Sequence, residues 1–92
     1  MAATVDIGTL ITKSAEMHGG KPCIAGTGTT VLAIAERYES GLSPQEIKEQ
    51  LPELDLDGIF AALAYAHANR AEIDEWLRLD REAHDSLFGP AA

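Results

Sequence analysis

The chain has 92 residues, 15 acidic and seven basic, for a formal charge of −8 with histidine neutral. That length holds one small domain, burying about 60–65% of its unfolded surface, so its core is modest. The acidic balance argues against the broad basic patch that gives most DNA binders their salt-dependent affinity.

A single Cys excludes an internal disulfide, and no apolar run approaches the ~18 residues of a membrane span. The opening Met1-Ala-Ala-Thr-Val-Asp6 has no basic stretch followed by an apolar one, so a cytoplasmic location is expected. Hydrophobic residues make up 46% of the chain and charged ones 24%, a globular rather than a disordered balance.

In chain order, Thr9-Leu10-Ile11-Thr12 and Pro22-Cys23-Ile24-Ala25 are short β-prone runs on either side of Gly19-Gly20. Glycine takes positive φ without a Cβ clash, so this pattern predicts a small hairpin. A hairpin alone is marginal in water and must dock on helices or on another chain. Val31, Ile34, Ala35 and Tyr38 then fall on one helical face, with Thr29 or Thr30 as N-cap and Gly41 as the stop.

Ser43, Pro44 and Glu46 give a second helix its capping box and N-terminal proline. That helix presents Ile47 and Leu51 and ends before Pro52. Asp55 can cap a third helix, with Leu56, Ile59, Phe60, Leu63 and His67 along a stripe and an alanine-rich run over 61–68. A fourth carries Ile73, Trp76 and Leu77 before drifting polar towards Gly89-Pro90.

These elements predict a mainly α fold: a three- to four-helix bundle of helix-turn-helix type with a short N-terminal β-hairpin. The single domain, 1–92, divides into a hairpin segment (8–28), a helix-turn-helix core (29–70), an acidic C-terminal helix (71–88) and a tail (89–92). Charge is unevenly spread across it. Residues 1–50 carry four basic and six acidic side chains, net −2, and residues 51–92 carry three and nine, net −6. The second half repels phosphate and attracts a basic protein surface, although a solvated helical face gives the same pattern.

Catalytic signals are weak. Gly19-Gly20-Lys21 is followed by Pro22, where a phosphate loop needs Ser or Thr, so it reads as a turn. His18, Cys23, His67 and His84 have no metal-site spacing, and a closed zinc site needs four convergent ligands. Cys23 reads as a small buried hydrophobe and His67 as a core-edge histidine. No catalytic residue, metal or cofactor is expected, and the chain reads as a non-enzyme.

The run Gly20-Lys21-Pro22-Cys23-Ile24-Ala25-Gly26-Thr27 resembles the opening signature of the bacterial family called domain of unknown function 433. Three further pieces follow in order: Tyr38-Glu39-Ser40-Gly41-Leu42-Ser43-Pro44-Gln45-Glu46-Ile47, Leu51-Pro52-Glu53-Leu54 and Ala61-Ala62-Leu63-Ala64-Tyr65. The resemblance covers about residues 9–75. It implies a homeodomain-like helix-turn-helix fold with a short N-terminal β element. Some members resemble VapB-type antitoxins, encoded beside a PIN-domain ribonuclease toxin. The family usually follows Gly-Thr with Arg and a β-branched apolar residue, where this chain has Gly28 and Thr29, so a basic group is lost.

The expectation is a non-enzymatic, dimeric, antitoxin-like binding module. Its partner contact is Trp76, Leu77, Leu79, Leu87 and Phe88, among the acids of the last helix, facing a basic ribonuclease. The rival is a transcriptional regulator contacting DNA through Arg37, Ser43, Gln45 and Lys48. A purely structural oligomer is the third reading. The third helix is poorly equipped for DNA, offering mainly Asp57, alanines, Tyr65 and Asn69, with Arg70 near its end. Dimerisation is expected through the hairpin, whose edges need pairing and whose Leu10, Ile11, Cys23 and Ile24 need cover. Trp76 and Leu77 form the other candidate self-interface.

Overall fold

A computed structural model describes residues 7–13 and 18–88. A 3-10 turn at Ile7–Leu10 leads into strand β1 (Ile11–Thr12). After a second 3-10 turn, His18–Gly20, comes β2 (Cys23–Ile24). Four helices follow: α1 (Val31–Glu39), α2 (Pro44–Gln50), α3 (Leu56–Ala68) and α4 (Arg70–Phe88). The chain is mainly α with a short N-terminal hairpin.

The strands pair antiparallel, Ile11 with Ile24 and Thr12 with Cys23. Gly19 and Gly20 both have positive φ, 65° and 90°, which L side chains rarely adopt. The far edge of β2 is closed within the chain. Cys23 bridges Thr30, the Ile24 amide donates to the Thr29 carbonyl at 2.9 Å, and the Val31 amide donates to Pro22 O at 2.9 Å. Cys23 and Ile24 are buried, and Ile11 packs on the core. Much of the edge and apolar surface offered for pairing with a second copy is therefore satisfied in cis.

Local chemistry sets the helix limits. Thr30 is the N-cap of α1, its hydroxyl accepting from the Ala33 amide at 3.2 Å. Gly41, at φ 109°, lets the chain turn back so that its own amide reaches Tyr38 O. The Ser43–Glu46 capping box of α2 is complete in both directions, at 3.2 and 2.9 Å. Asp55 occupies the N-cap of α3 without a side-chain cap bond. At Asn69 the chain breaks helix for one residue and α4 begins at once.

Val31, Ile34, Ile47, Leu54, Ile59 and Ile73 are fully buried in one cluster that joins all four helices to Ile24. The stripe expected on α3 is corrected: Phe60 is 51% exposed and His67 is exposed, as is Tyr38 of α1. The inward arc runs instead through Gly58, Ile59, Ala62 and Ala66. Small residues face inward because the neighbours come close. A Cβ on Gly58 would stand 2.7 Å from the Cγ2 of Ile24. Phe60, two positions on from Gly58, falls on the opposite side of the helix.

Helix α4 departs from this body. The molecule measures 56 Å along its long axis against 29 and 23 Å across. Ile73 is buried and Trp76 and Leu77 are half-buried on the core, whereas Leu79 is 40% and Leu87 77% exposed.

Candidate functional site

Ile73, Trp76 and Leu77 of α4 lie against the body, and Ala83 and Leu87 continue the line of Trp76 with Leu79 at its flank. The stripe outlasts the surface it packs on. Arg78 pairs with both Glu75 and Glu82 along the exposed polar side. This outer network takes its partners from α4 itself, so it supports the helix without tying it to the body.

At its start α4 is tied to α1 by the Arg70–Glu39 pair at 2.5 Å, and further along two lysines of the hairpin segment tie it. Lys13 Nζ donates to Glu72 Oε2 at 2.8 Å, and Lys21 Nζ donates to Asp80 Oδ1 at 2.6 Å. Glu72 also accepts from the Tyr65 hydroxyl at 2.6 Å and from Trp76 Nε1 at 3.2 Å. The Lys21 ammonium lies 5.7 Å from the centre of the Trp76 ring, within cation–π range. Glu72, Trp76 and Asp80 stand four residues apart, so they form one line along α4 that the two lysines grip.

Burial pushes the Glu72 carboxyl up, but hydrogen bonds from Lys13, Tyr65 and Trp76 together hold it below the ordinary glutamate range. Burial first, then the hydrogen bond to Glu72, raises the Tyr65 phenol. The bond to Glu72 raises the Lys13 ammonium.

The expected partner contacts thus divide. Trp76 and Leu77 pack on the chain's own core, while Leu79 and Leu87 stand exposed. Phe88 closes α4, and its side chain lies outside the described residues, as does the tail 89–92.

The residues proposed for DNA lie around the start of α2, and three of the four are engaged internally. Arg37 donates to Gln50 Oε1 and to the Ala33 carbonyl. Ser43 is held in the capping box, and Lys48 donates to Leu54 O at 2.7 Å. Gln45 is exposed. The α3 N-terminus presents exposed Asp55 and Asp57, charges that repel a phosphate backbone.

The spacing of α3 did not reveal its outer surface. Ala64 and Phe60, with Tyr38 and His67, line a groove of about 470 Å³ towards α1. A second groove, about 570 Å³, runs past Ile7, Ile11 and Lys13. Exposed Phe60 was the missed signal, hidden because its spacing fits a core stripe equally well. Among the described residues no group of three or more His, Cys, Asp or Glu is gathered to hold a metal. Cys23 is buried, its thiol pushed up by that burial. No described helix is long and apolar enough to cross a membrane.

Residues 11–66, β1 through most of α3, match the family described as "Protein of unknown function (DUF433)". The chain belongs to this family. An uncharacterized protein, y4eO, of Sinorhizobium fredii (strain NBRC 101917 / NGR234) is 35% identical over 60 residues. That match covers 65% of this chain and 27% of the relative, so the chain spans about a quarter of its length. The 2.00 Å crystal structure of a DUF433 member protein from Anabaena variabilis ATCC 29413 superposes with a TM-score of 0.70 at 23% identity. It covers 76% of this chain and 69% of that one, a likeness of fold. The family match stops before α4, so Glu72, Trp76 and Asp80 lie beyond it.

Proposed function

We propose that this DUF433 protein is a non-enzymatic protein-binding module of antitoxin type, whose distal α4 holds a basic ribonuclease toxin of the PIN class. The observation that carries this reading is the exposure of Leu79 and Leu87 on an amphipathic helix that runs on past its own core. Apolar anchors supply binding energy when a partner covers them. Asp80, Glu82 and Asp85 outnumber Arg81 in this stretch and would steer a cationic partner towards it.

Co-expression with a PIN-domain ribonuclease encoded beside this gene is the test. A stable complex is expected from the wild type, and the Leu79→Ala, Leu87→Ala double variant should lose it while remaining helical. Recovery of no complex with the wild-type chain overturns the reading.

The DNA-binding alternative has less support, because Arg37, Ser43 and Lys48 would each leave an internal hydrogen bond to reach phosphate. A two-fold dimer remains part of the proposal. With the hairpin largely covered in cis, we place it on the outer surface of α3 around exposed Phe60, and light scattering on Phe60→Asp tests that assignment against the distal stripe of α4.

A further inference from the structure

We propose that Lys13 and Lys21 form a clasp that holds α4 down with Trp76 masked, and that α4 opens from Trp76 onward as one unit. Both lysines sit in the hairpin segment, and both grip α4 across 59 residues of chain. Their partners, Glu72 and Asp80, are eight residues apart with Trp76 midway, so one side of the helix takes both contacts. Lys21 also lies over the Trp76 ring. The anchor with the most apolar area on α4 is therefore covered by the chain itself.

The strength of this hold is graded along the helix. Ile73 is fully buried, so the first turn of α4 belongs to the core. Beyond it, Trp76 and Leu77 are half-buried and the rest of the attachment is ionic. The side chains of the Lys21–Asp80 pair are 24% and 44% exposed, so solvent competes for both charges. Such pairs contribute little stability each, which suits an element that detaches without unfolding the body.

The purpose of the clasp rests on the reading of α4 as the partner-binding helix. The closed arm withholds Trp76 and Leu77, and binding is weakened in proportion to the small open fraction. A partner that takes Trp76 and the stripe beyond it must displace Lys21. Partner binding and clasp opening are then two views of a single equilibrium.

The test needs no partner, because the chain's one tryptophan is Trp76 itself. Hydrogen exchange of the full chain and acrylamide quenching of Trp76 are measured for wild type, Lys21→Gln, Asp80→Asn and Lys13→Gln. Arg78→Gln, which breaks the network internal to α4, is the control. Exchange from Trp76 onward should quicken about two- to five-fold in the clasp variants, with α1–α3 unchanged. Quenching should rise in Asp80→Asn, which leaves Lys21 in place near the ring.

The Lys21→Gln, Asp80→Asn double variant should open no further than Lys21→Gln alone, since Asp80 acts only through Lys21. Salt raised from about 0.05 to about 1 M should open the wild type and move that double variant less, since of the clasp only the Lys13–Glu72 pair is left to screen. Unchanged exchange and quenching in the clasp variants overturns the proposal. So does faster exchange spread evenly over α1–α3, since the lysines would then serve global stability. A clasp that opens as expected in a chain that captures no toxin removes the partner reading and keeps the clasp. Capture without opening does the reverse.

Discussion

The body and α4 are held by different forces. From β1 to α3, side chains such as Val31, Ile34, Ile47 and Ile59 close on one another with no described polar side chain buried among them. Helix α4 shares that core through Ile73 and is otherwise fastened by half-buried Trp76 and Leu77, by lysine–carboxylate contacts and, at its first residue, by the Arg70–Glu39 pair. Apolar burial answers to cavities and responds weakly to salt, whereas exposed ion pairs answer to salt and pH. One chain thus carries a cooperative body and an arm whose docking can be adjusted separately.

A cavity at the centre is the largest way to break that contrast. Ile34→Ala, at a fully buried position, should cost about 2–5 kcal/mol in a chemical denaturation midpoint. Both regions should melt together, because α4 keeps its docking surface only while the body stands. Gly58→Ala is the next test. Alanine normally favours helix over glycine by about 1 kcal/mol, but the added methyl meets Ile24 at 2.7 Å. Ile24 is buried and β-branched, so it cannot swing aside. Overpacking of that kind costs about 1–3 kcal/mol, so a net loss of about 1 kcal/mol is expected. A gain in stability would show that the hairpin yields at Ile24.

Features carried by neighbouring residues were legible in the sequence. The Ser43–Pro44–Glu46 start of α2, the Gly19–Gly20 turn and the Gly41 stop all follow from local backbone chemistry, and each is present. The candidate site was less legible. Helical spacing grouped Phe60 and His67 with Ile59, since a wide stripe on a short helix does not say which edge faces in. Contact between Gly58 and Ile24 decides that, and it joins residues 34 apart. The clasp was further out of reach. Lys21 and Asp80 look like ordinary solvated charges until the fold brings them to 2.6 Å.

Acid should loosen the arm before the body. The Glu72 carboxyl is lowered from 4.5 in the folded chain. It therefore adds stability above its unfolded pKa, and that stability is lost as pH falls through the lowered folded value. Lys13 stays charged throughout, and the Tyr65 and Trp76 donors lose an ionised acceptor once Glu72 is protonated. Hydrogen exchange of α4, corrected for its intrinsic pH dependence, should rise relative to the body between about pH 5 and about pH 3. Glu72→Gln should start from the loosened state and show a flatter response. Equal slopes in the two proteins would remove Glu72 as the source.

Leu87→Ala should show the smallest effect, and it separates an unpartnered arm from a covered one. Leu87 is 77% exposed near the last turn of α4, where helix ends fray and few contacts can be lost. Alanine is at least as good a helix former as leucine, so propensity gives no penalty. The change should stay within about 0.5 kcal/mol for the chain alone. A second copy seated on the stripe changes the expectation, because the lost methyl groups would then come from an interface. Stability would fall with Leu87→Ala, and the fall would shrink on dilution as the assembly comes apart. A loss that persists undiminished at high dilution would instead place Leu87 against its own body, and the arm would be shorter than its helix.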